Sequence, residues 1–175
     1  MTLVIFGSAK KNGFTGQLLQ RELSQNREKY PGPVRFFDCF EHLIAPCSGC
    51  GECRQTGRCR HEDLTAFHRD FLAATQLVFA FPVYNGSVPA PLKALLDRFQ
   101  PYYELHFKGQ SPFAKKRPVT VVITAGAKNT TPQPLLSQLK PVFSVTGGQL
   151  QRCLLLAGTD GNNPTLTVLN KDEAL

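Results

Sequence analysis

No stretch of this 175-residue chain carries the roughly 20 consecutive apolar residues that a bilayer-spanning helix needs, so an integral membrane protein is not expected. No cationic-then-apolar leader precedes the first apolar run, Thr2-Leu3-Val4-Ile5-Phe6, and the expectation is a soluble, cytoplasmic protein. Internal repeats and low-complexity tracts are also missing, and the length suits one domain, 1–175, with a full core. Neither G-x-G-x-x-G nor a Walker A sequence occurs, which removes the usual marks of a Rossmann dinucleotide site and of a P-loop nucleotidase. The four histidines, His42, His61, His68 and His106, stand apart from one another and from any nucleophile signature, and none is assigned a catalytic role. Acidic residues are the scarcer sign: 13 Asp and Glu face 20 Lys and Arg, a formal net charge of +7. The cations are nevertheless scattered, with short clusters at Lys10-Lys11, at Arg54, Arg58 and Arg60, and at Lys115-Lys116-Arg117. No aromatic residues interleave them as in single-strand binders, so no nucleic-acid partner is expected; the charge suits a phosphate-bearing ligand or an acidic protein.

What is present is an alternation. Strand-like runs at Thr2–Phe6, Val34–Asp38, Gln76–Phe81, Val119–Thr124 and Leu150–Ala157 are separated by helical patterns near Thr15–Lys29, Asp63–Ala74, Ala90–Tyr103 and Pro134–Val145. Continuous Val, Ile, Leu and Phe runs between helices predict a parallel sheet covered on both faces. The expected architecture is α/β: a doubly wound, five-stranded parallel sheet in the order 2-1-3-4-5. In the helix from Ala90, Leu92, Leu95, Leu96 and Phe99 share one face, while Lys93, Asp97 and Arg98 are placed away from it. Two segments, Cys39–Glu62 and Glu104–Arg117, lack a regular pattern, and loops of that length are candidate site walls.

Three loops follow strands at the edge where such sheets bind ligands. Gly7-Ser8-Ala9-Lys10-Lys11-Asn12-Gly13-Phe14-Thr15-Gly16 is small, polar and basic and opens a helix, where free amides and the helix dipole favour a phosphate dianion. A capped strand-to-helix turn with solvated lysines is the plainer alternative. Phe81-Pro82-Val83-Tyr84-Asn85-Gly86-Ser87-Val88-Pro89-Ala90-Pro91-Leu92-Lys93 leaves its strand through a turn and restarts as a helix at Pro-Ala-Pro, presenting backbone N–H groups. Thr124-Ala125-Gly126-Ala127 is small enough to let a ring system approach the backbone. With strands one and three flanking the switch point, the first and second of these loops face each other across a crevice.

These loops, Pro46-Cys47-Ser48-Gly49-Cys50-Gly51-Glu52-Cys53 and the pair Asp97-Arg98 together resemble the flavodoxin-like NAD(P)H-dependent FMN reductases and the related iron-sulfur flavoproteins. The resemblance implies a flavodoxin-like fold and non-covalent FMN, with its phosphate on Ser8, Lys10, Gly13, Phe14 and Thr15. It implies an isoalloxazine ring against Pro82, Val83, Tyr84, Asn85, Gly86 and Ser87, with Thr124 and Gly126 at the far rim. Lys10 stands where the family often has an arginine, so a bidentate grip becomes a point-charge contact. Relatives bury FMN at dimer or tetramer contacts, so a homodimer or homotetramer is expected. Relatives often carry a longer final helix, for which only Asn163–Leu175 is left here.

Six cysteines are present, and Cys47, Cys50, Cys53 and Cys59 form C-x2-C-x2-C-x5-C within the 39–62 loop. In a chain expected to be intracellular this density speaks for metal or redox chemistry rather than a disulfide framework. A four-iron four-sulfur cluster is one reading, since C-x2-C-x2-C wraps three corners locally; it is also what the likeness to iron-sulfur flavoproteins implies. Free or reversibly oxidised thiols lining the pocket are a second, and a structural zinc a third. Arg54, Arg58 and Arg60 would lower nearby thiol pKa values or are simply a solvated basic loop, the reading the pattern favours, whereas Cys39 and Cys153 read as small buried hydrophobes.

The function expected is an FMN-dependent oxidoreductase, NAD(P)H reducing FMN and electrons passing to flavin, a quinone or another small acceptor. Such chemistry needs no protein acid or base. The alternative is an iron-sulfur flavoprotein that carries electrons between ferredoxin and another acceptor.

Overall fold

The computed structural model describes residues 1–174. The chain runs β1 (Thr2–Phe6), α1 (Phe14–Gln25), β2 (Val34–Asp38), α2 (Glu52–Thr56), α3 (Thr65–Ala73), β3 (Gln76–Pro82), α4 (Ala90–Asp97), α5 (Gln100–Phe107), β4 (Arg117–Ala125), α6 (Gln133–Thr146), β5 (Gly148–Ala157), β6 (Thr165–Asn170) and α7 (Lys171–Ala174). One sheet contains all the strands in the order β2-β1-β3-β4-β5-β6. The pairings from β2 through β5 are parallel, in the doubly wound order the strand pattern predicts. Among the described residues no helix is long and apolar enough to cross a membrane.

Strand periodicity divides the core in two. Leu3, Ile5, Phe79, Phe81, Val121 and Ile123 point to one face and pack under α3, α4, α5 and α6. Val4, Phe6, Val78, Ala80 and Val122 point to the other, where Leu18 and Leu19 of α1 meet them. Because β1, β3 and β4 are buried on both sides, they read as unbroken apolar runs. The α1 face is the thinner one. α1 lies over β3 and β4, so Val34 and Phe36 of β2 stay exposed and a cavity of about 820 Å³ opens between α1 and β2.

The five-strand count and the final helix are corrected here. Thr165–Asn170 forms a sixth strand, antiparallel to β5, and only Lys171–Ala174 is helical. Thr-Leu-Thr-Val-Leu alternates with β-branched residues, a local preference that favours an edge strand over a helix. The helix expected over Ala90–Tyr103 is two. α4 ends before Arg98, and α5 restarts with Pro101 in its first turn, a position where the missing N–H costs nothing. α1 likewise stops at Gln25, and Arg27–Lys29 is a separate 3-10 turn.

Two arginines are buried. Arg117, at the start of β4, lies between the rings of Phe71 and Phe113, 4.4 and 4.3 Å from their centroids. It donates to the carbonyls of Phe71 at 2.7 Å and Thr146 at 2.8 Å, at the C-terminal ends of α3 and α6. The negative ends of two helix dipoles thus face a cation that has no carboxylate partner among the described residues. Burial pulls its pKa down to about 10. The second, Arg98, at the end of α4, packs against the cysteine loop.

Candidate functional site

α1 begins without a side-chain cap. Its N-cap is Gly13, and no acidic residue occupies its first turn. The first i→i−4 bond is Gln17 N–H to Gly13 O at 3.0 Å, which leaves the amides of Phe14, Thr15 and Gly16 directed out of the helix end. Lys11 turns away to Glu41 and to Asp38, the latter at 3.7 Å. Lys10 makes no ion pair among the described residues and is the available cation of the loop. Ser8 is buried, with its hydroxyl 3.4 Å from the Lys10 N–H. Gly16 was not singled out in the sequence, yet it is the tightest position here: a Cβ would sit 1.7 Å from the Lys11 carbonyl oxygen.

The loop after β4 joins this one directly. The buried hydroxyls of Thr15 and Thr124 lie 2.7 Å apart. Only one proton can lie between them, so the other hydroxyl keeps its proton for a ligand. The loop after β3 is held to the same place, since the Val83 N–H donates to Thr124 O at 2.8 Å. Tyr84 and Ser87 exchange backbone bonds of 3.0 and 2.9 Å around Asn85 and Gly86, whose φ values are 50° and 72°. That is a two-residue turn with both centres left-handed, the conformation for which Asn-Gly is the preferred pair. Ser87 Oγ donates to Gln138 of α6 at 2.8 Å, which anchors the turn. Pro82 and Val83 are half-buried, while Tyr84 is 47 % exposed and Phe14, at the opposite loop, 46 %. Tyr84 is therefore a rim residue rather than core. At Gly126 the missing side chain makes room for Asp160, because a Cβ would lie 2.1 Å from Asp160 Oδ2. Asp160 thus brings a carboxylate to this rim from the β5–β6 connection, and nothing local in the sequence marks it.

The cysteine segment lies between β2 and α3. Cys47, Cys50, Cys53 and Cys59 all line one cavity of about 400 Å³, together with Arg54, Arg60, His61, Arg98 and Glu104. All six cysteines are free; Cys39 and Cys153 are fully buried, and burial pushes both thiols up to about 12. Cys53 is also shifted upward, by burial and then by the Glu104 carboxylate. Arg54, Arg58 and Arg60 are exposed, as a solvated basic loop would be, and Arg54 pairs with Glu104 at 3.6 Å. Among the described residues no three His, Cys, Asp or Glu groups stand close enough to hold one metal ion. Tetrahedral zinc would need thiolates only about 3.8 Å apart. The four thiols that line the cavity are the donor type a four-iron four-sulfur cluster takes.

Arg98 closes the base of this loop. Its side chain is 1 % exposed, although the helical pattern places it away from the core. Nη1 donates to Ala45 O at 2.7 Å and Asp63 Oδ2 at 3.1 Å; Nη2 donates to His61 O at 3.1 Å and Asp63 Oδ1 at 2.6 Å. Burial alone would raise the Asp63 carboxyl, but hydrogen bonds from Arg98 and the Ala45 N–H hold it below the usual carboxylate range. Nearby, His68 accepts from or donates to the Tyr102 hydroxyl at 2.9 Å. Burial, reinforced by the Arg98 charge, pulls its pKa down to about 4. Tyr102 is core, packed on Phe71, Phe99 and Phe113, whereas Phe107 is open to solvent.

A family model described as NADPH-dependent FMN reductase matches residues 1–160, and the chain belongs to that family. It is 43 % identical over 56 residues to an iron-sulfur flavoprotein of Methanosarcina thermophila, a stretch covering 31 % of this chain and 29 % of that one. It is 30 % identical over 124 residues to an iron-sulfur flavoprotein of Archaeoglobus fulgidus, covering 70 % of this chain and 53 % of the relative. The aligned parts thus span between about a third and half of those relatives' lengths. Among solved structures, the NAD(P)H:quinone oxidoreductase of Methanothermobacter marburgensis superposes with a TM-score of 0.64 at 15 % identity, over 93 % of this chain and 86 % of that one. That likeness concerns the fold.

Proposed function

We propose that this protein is an FMN-dependent oxidoreductase that takes electrons from NAD(P)H and delivers them to flavin, a quinone or another small acceptor. The observation that carries the reading is the meeting of three loops at one sheet edge: uncapped amides at Phe14, Thr15 and Gly16, the Thr15–Thr124 hydroxyl pair, and the Asn85-Gly86 turn bonded through Val83. FMN fits this set. Lys10, Ser8 and the α1 amides would hold its phosphate, at a helix end that favours a dianion. Pro82, Val83, Tyr84, Asn85, Gly86 and Ser87 would line one side of the ring, and Thr124 and Gly126 the other. When bound, FMN would supply a tricyclic ring that accepts hydride from nicotinamide and gives up electrons to an acceptor. The side chains here bind and orient; none is given a proton to move. Phe14 and Tyr84, both half exposed at the rim, support closure of the site by a second copy in a homodimer or homotetramer. Free cysteines throughout suit a reducing cytoplasm.

A second reading, an iron-sulfur flavoprotein carrying electrons from ferredoxin, is supported by the cavity that all four loop cysteines line. Cys47, Cys50, Cys53 and Cys59 would hold a four-iron four-sulfur cluster there. Exposed Arg54 and Arg60 on the cavity lining, with Arg58 nearby in sequence, suit an acidic partner such as ferredoxin. The absorption spectrum of anaerobically purified protein tests both readings. Flavin bands bleached by NADPH are expected for the first, and bleaching by reduced ferredoxin alone, with iron and sulfide present, for the second. Protein that binds no flavin and oxidises no nicotinamide would defeat the first.

A further inference from the structure

The cysteine cavity has one buried side chain whose hydrogen bonds are nearly but not fully used. An arginine carries five N–H donors. Four of those on Arg98 go to Ala45 O, His61 O and the two oxygens of Asp63. The fifth, on Nε, meets no acceptor in good hydrogen-bond geometry. Arg98 lines the cavity that Cys47, Cys50, Cys53 and Cys59 share, and the Cys59 thiol lies against its guanidinium. An unmatched donor on a side chain this buried is costly unless something accepts from it.

We propose that Arg98 is the positioning residue of the cysteine cavity: it fixes the loop at both ends through Ala45, His61 and Asp63, and offers its Nε–H to the sulfur held there. The second half rests on the cluster reading above; the first does not. The two contacts on Ala45 and His61 flank the motif, just before Pro46-Cys47 and just after Cys59-Arg60, so one planar group sets the span within which the four thiols lie. Lysine could keep the charge but not this fork. A hydrogen bond to a cluster sulfur stabilises the more negative, reduced form and so raises the potential.

The test compares wild-type protein, purified anaerobically, with Arg98→Gln, Arg98→Lys and Asp63→Asn, using flavin content and circular dichroism to check folding. The first measurement is trypsin cleavage at the exposed Arg54, Arg58 and Arg60, made after iron is removed from every sample. Cleavage about tenfold faster in both Arg98 variants and in Asp63→Asn is expected, because opening the loop no longer breaks the clamp. The second is the midpoint potential of the iron-sulfur absorption. It should move to more negative values in Arg98→Lys and Arg98→Gln, and much less in Asp63→Asn, which keeps the Nε–H. Equal cleavage rates overturn the clamp, and an unmoved potential overturns the donation to sulfur. Wild-type protein free of iron and sulfide overturns the cluster reading and the donation with it, while the trypsin comparison still decides the clamp. If Arg98→Gln does not fold, Arg98→Lys and Asp63→Asn carry both comparisons.

Discussion

Thr15 at the start of α1 and Thr124 at the end of β4, 109 residues apart in sequence, share a hydroxyl contact of 2.7 Å. The pair joins the loops after β1 and β4 beneath the uncapped helix end. Thr15→Val should weaken FMN binding by about 1.5–3 kcal/mol, the range for a hydrogen bond to a charged group. Titration of flavin fluorescence measures it, and an unchanged dissociation constant would remove Thr15 from the phosphate site.

Gly16→Ala tests the loop itself. A Cβ placed 1.7 Å from the Lys11 carbonyl oxygen forces the Lys11–Gly16 segment to move. The cost should be on the order of 1–3 kcal/mol of stability, with FMN affinity lost beyond detection by equilibrium dialysis. Retention of wild-type affinity would show that the loop's present shape is not the one that binds.

Gly86 has a φ of 72° in open space, so its constraint is conformational rather than steric. Gly86→Val should cost about 1–2 kcal/mol and reduce FMN affinity by misplacing the turn. Asn85→Gly should leave both nearly unchanged. Thermal melts of the apo protein and flavin titrations separate the two effects.

His68 predicts a pH dependence of defined sign. Its folded pKa of about 4 lies below the ordinary 6.5 because burial and Arg98 disfavour the cation. Between those values the unfolded chain binds the proton and the folded one does not. Stability therefore falls as pH drops from 6.5 towards 4, by on the order of 2–3 kcal/mol. His68→Leu should flatten that limb of a denaturation profile, and a limb as steep as in wild type would assign it to other groups.

Arg117→Leu should destabilise the fold by on the order of 3 kcal/mol, since the helix-end carbonyls of Phe71 and Thr146 lose their donor. Chemical denaturation checks this. Flavin affinity should not change in the folded variant, because Arg117 lies at the N-terminal end of β4, opposite the ligand edge.

The parallel strands and their order were legible because each is a run buried on both faces, where composition alone marks the element. The turn after β3 was legible for a related reason: Asn85-Gly86 sits where left-handed backbone favours that pair. What escaped is whatever depends on distant partners. β6 pairs with β5 through alternation that resembles an ordinary tail, and Arg98 looks like a solvated helix residue until Ala45, His61 and Asp63 arrive from another segment. Asp160 meets Gly126 across the β4 and β5 connections, and Arg117 is hidden in a run of lysines that suggests surface. Arg54, Arg58 and Arg60 are legible as a solvated loop, since exposed charges act weakly on a thiol that faces Glu104.

The contacts that close the cysteine segment at its neck involve one guanidinium, one carboxylate and two peptide carbonyls, and no sulfur. On the cluster reading, inorganic cargo would leave and return without breaking any of these neck contacts. Small zinc modules behave differently, because their chains acquire a shape only with the ion. On that reading, repair after oxidative loss would be a matter of refilling rather than of renaturation.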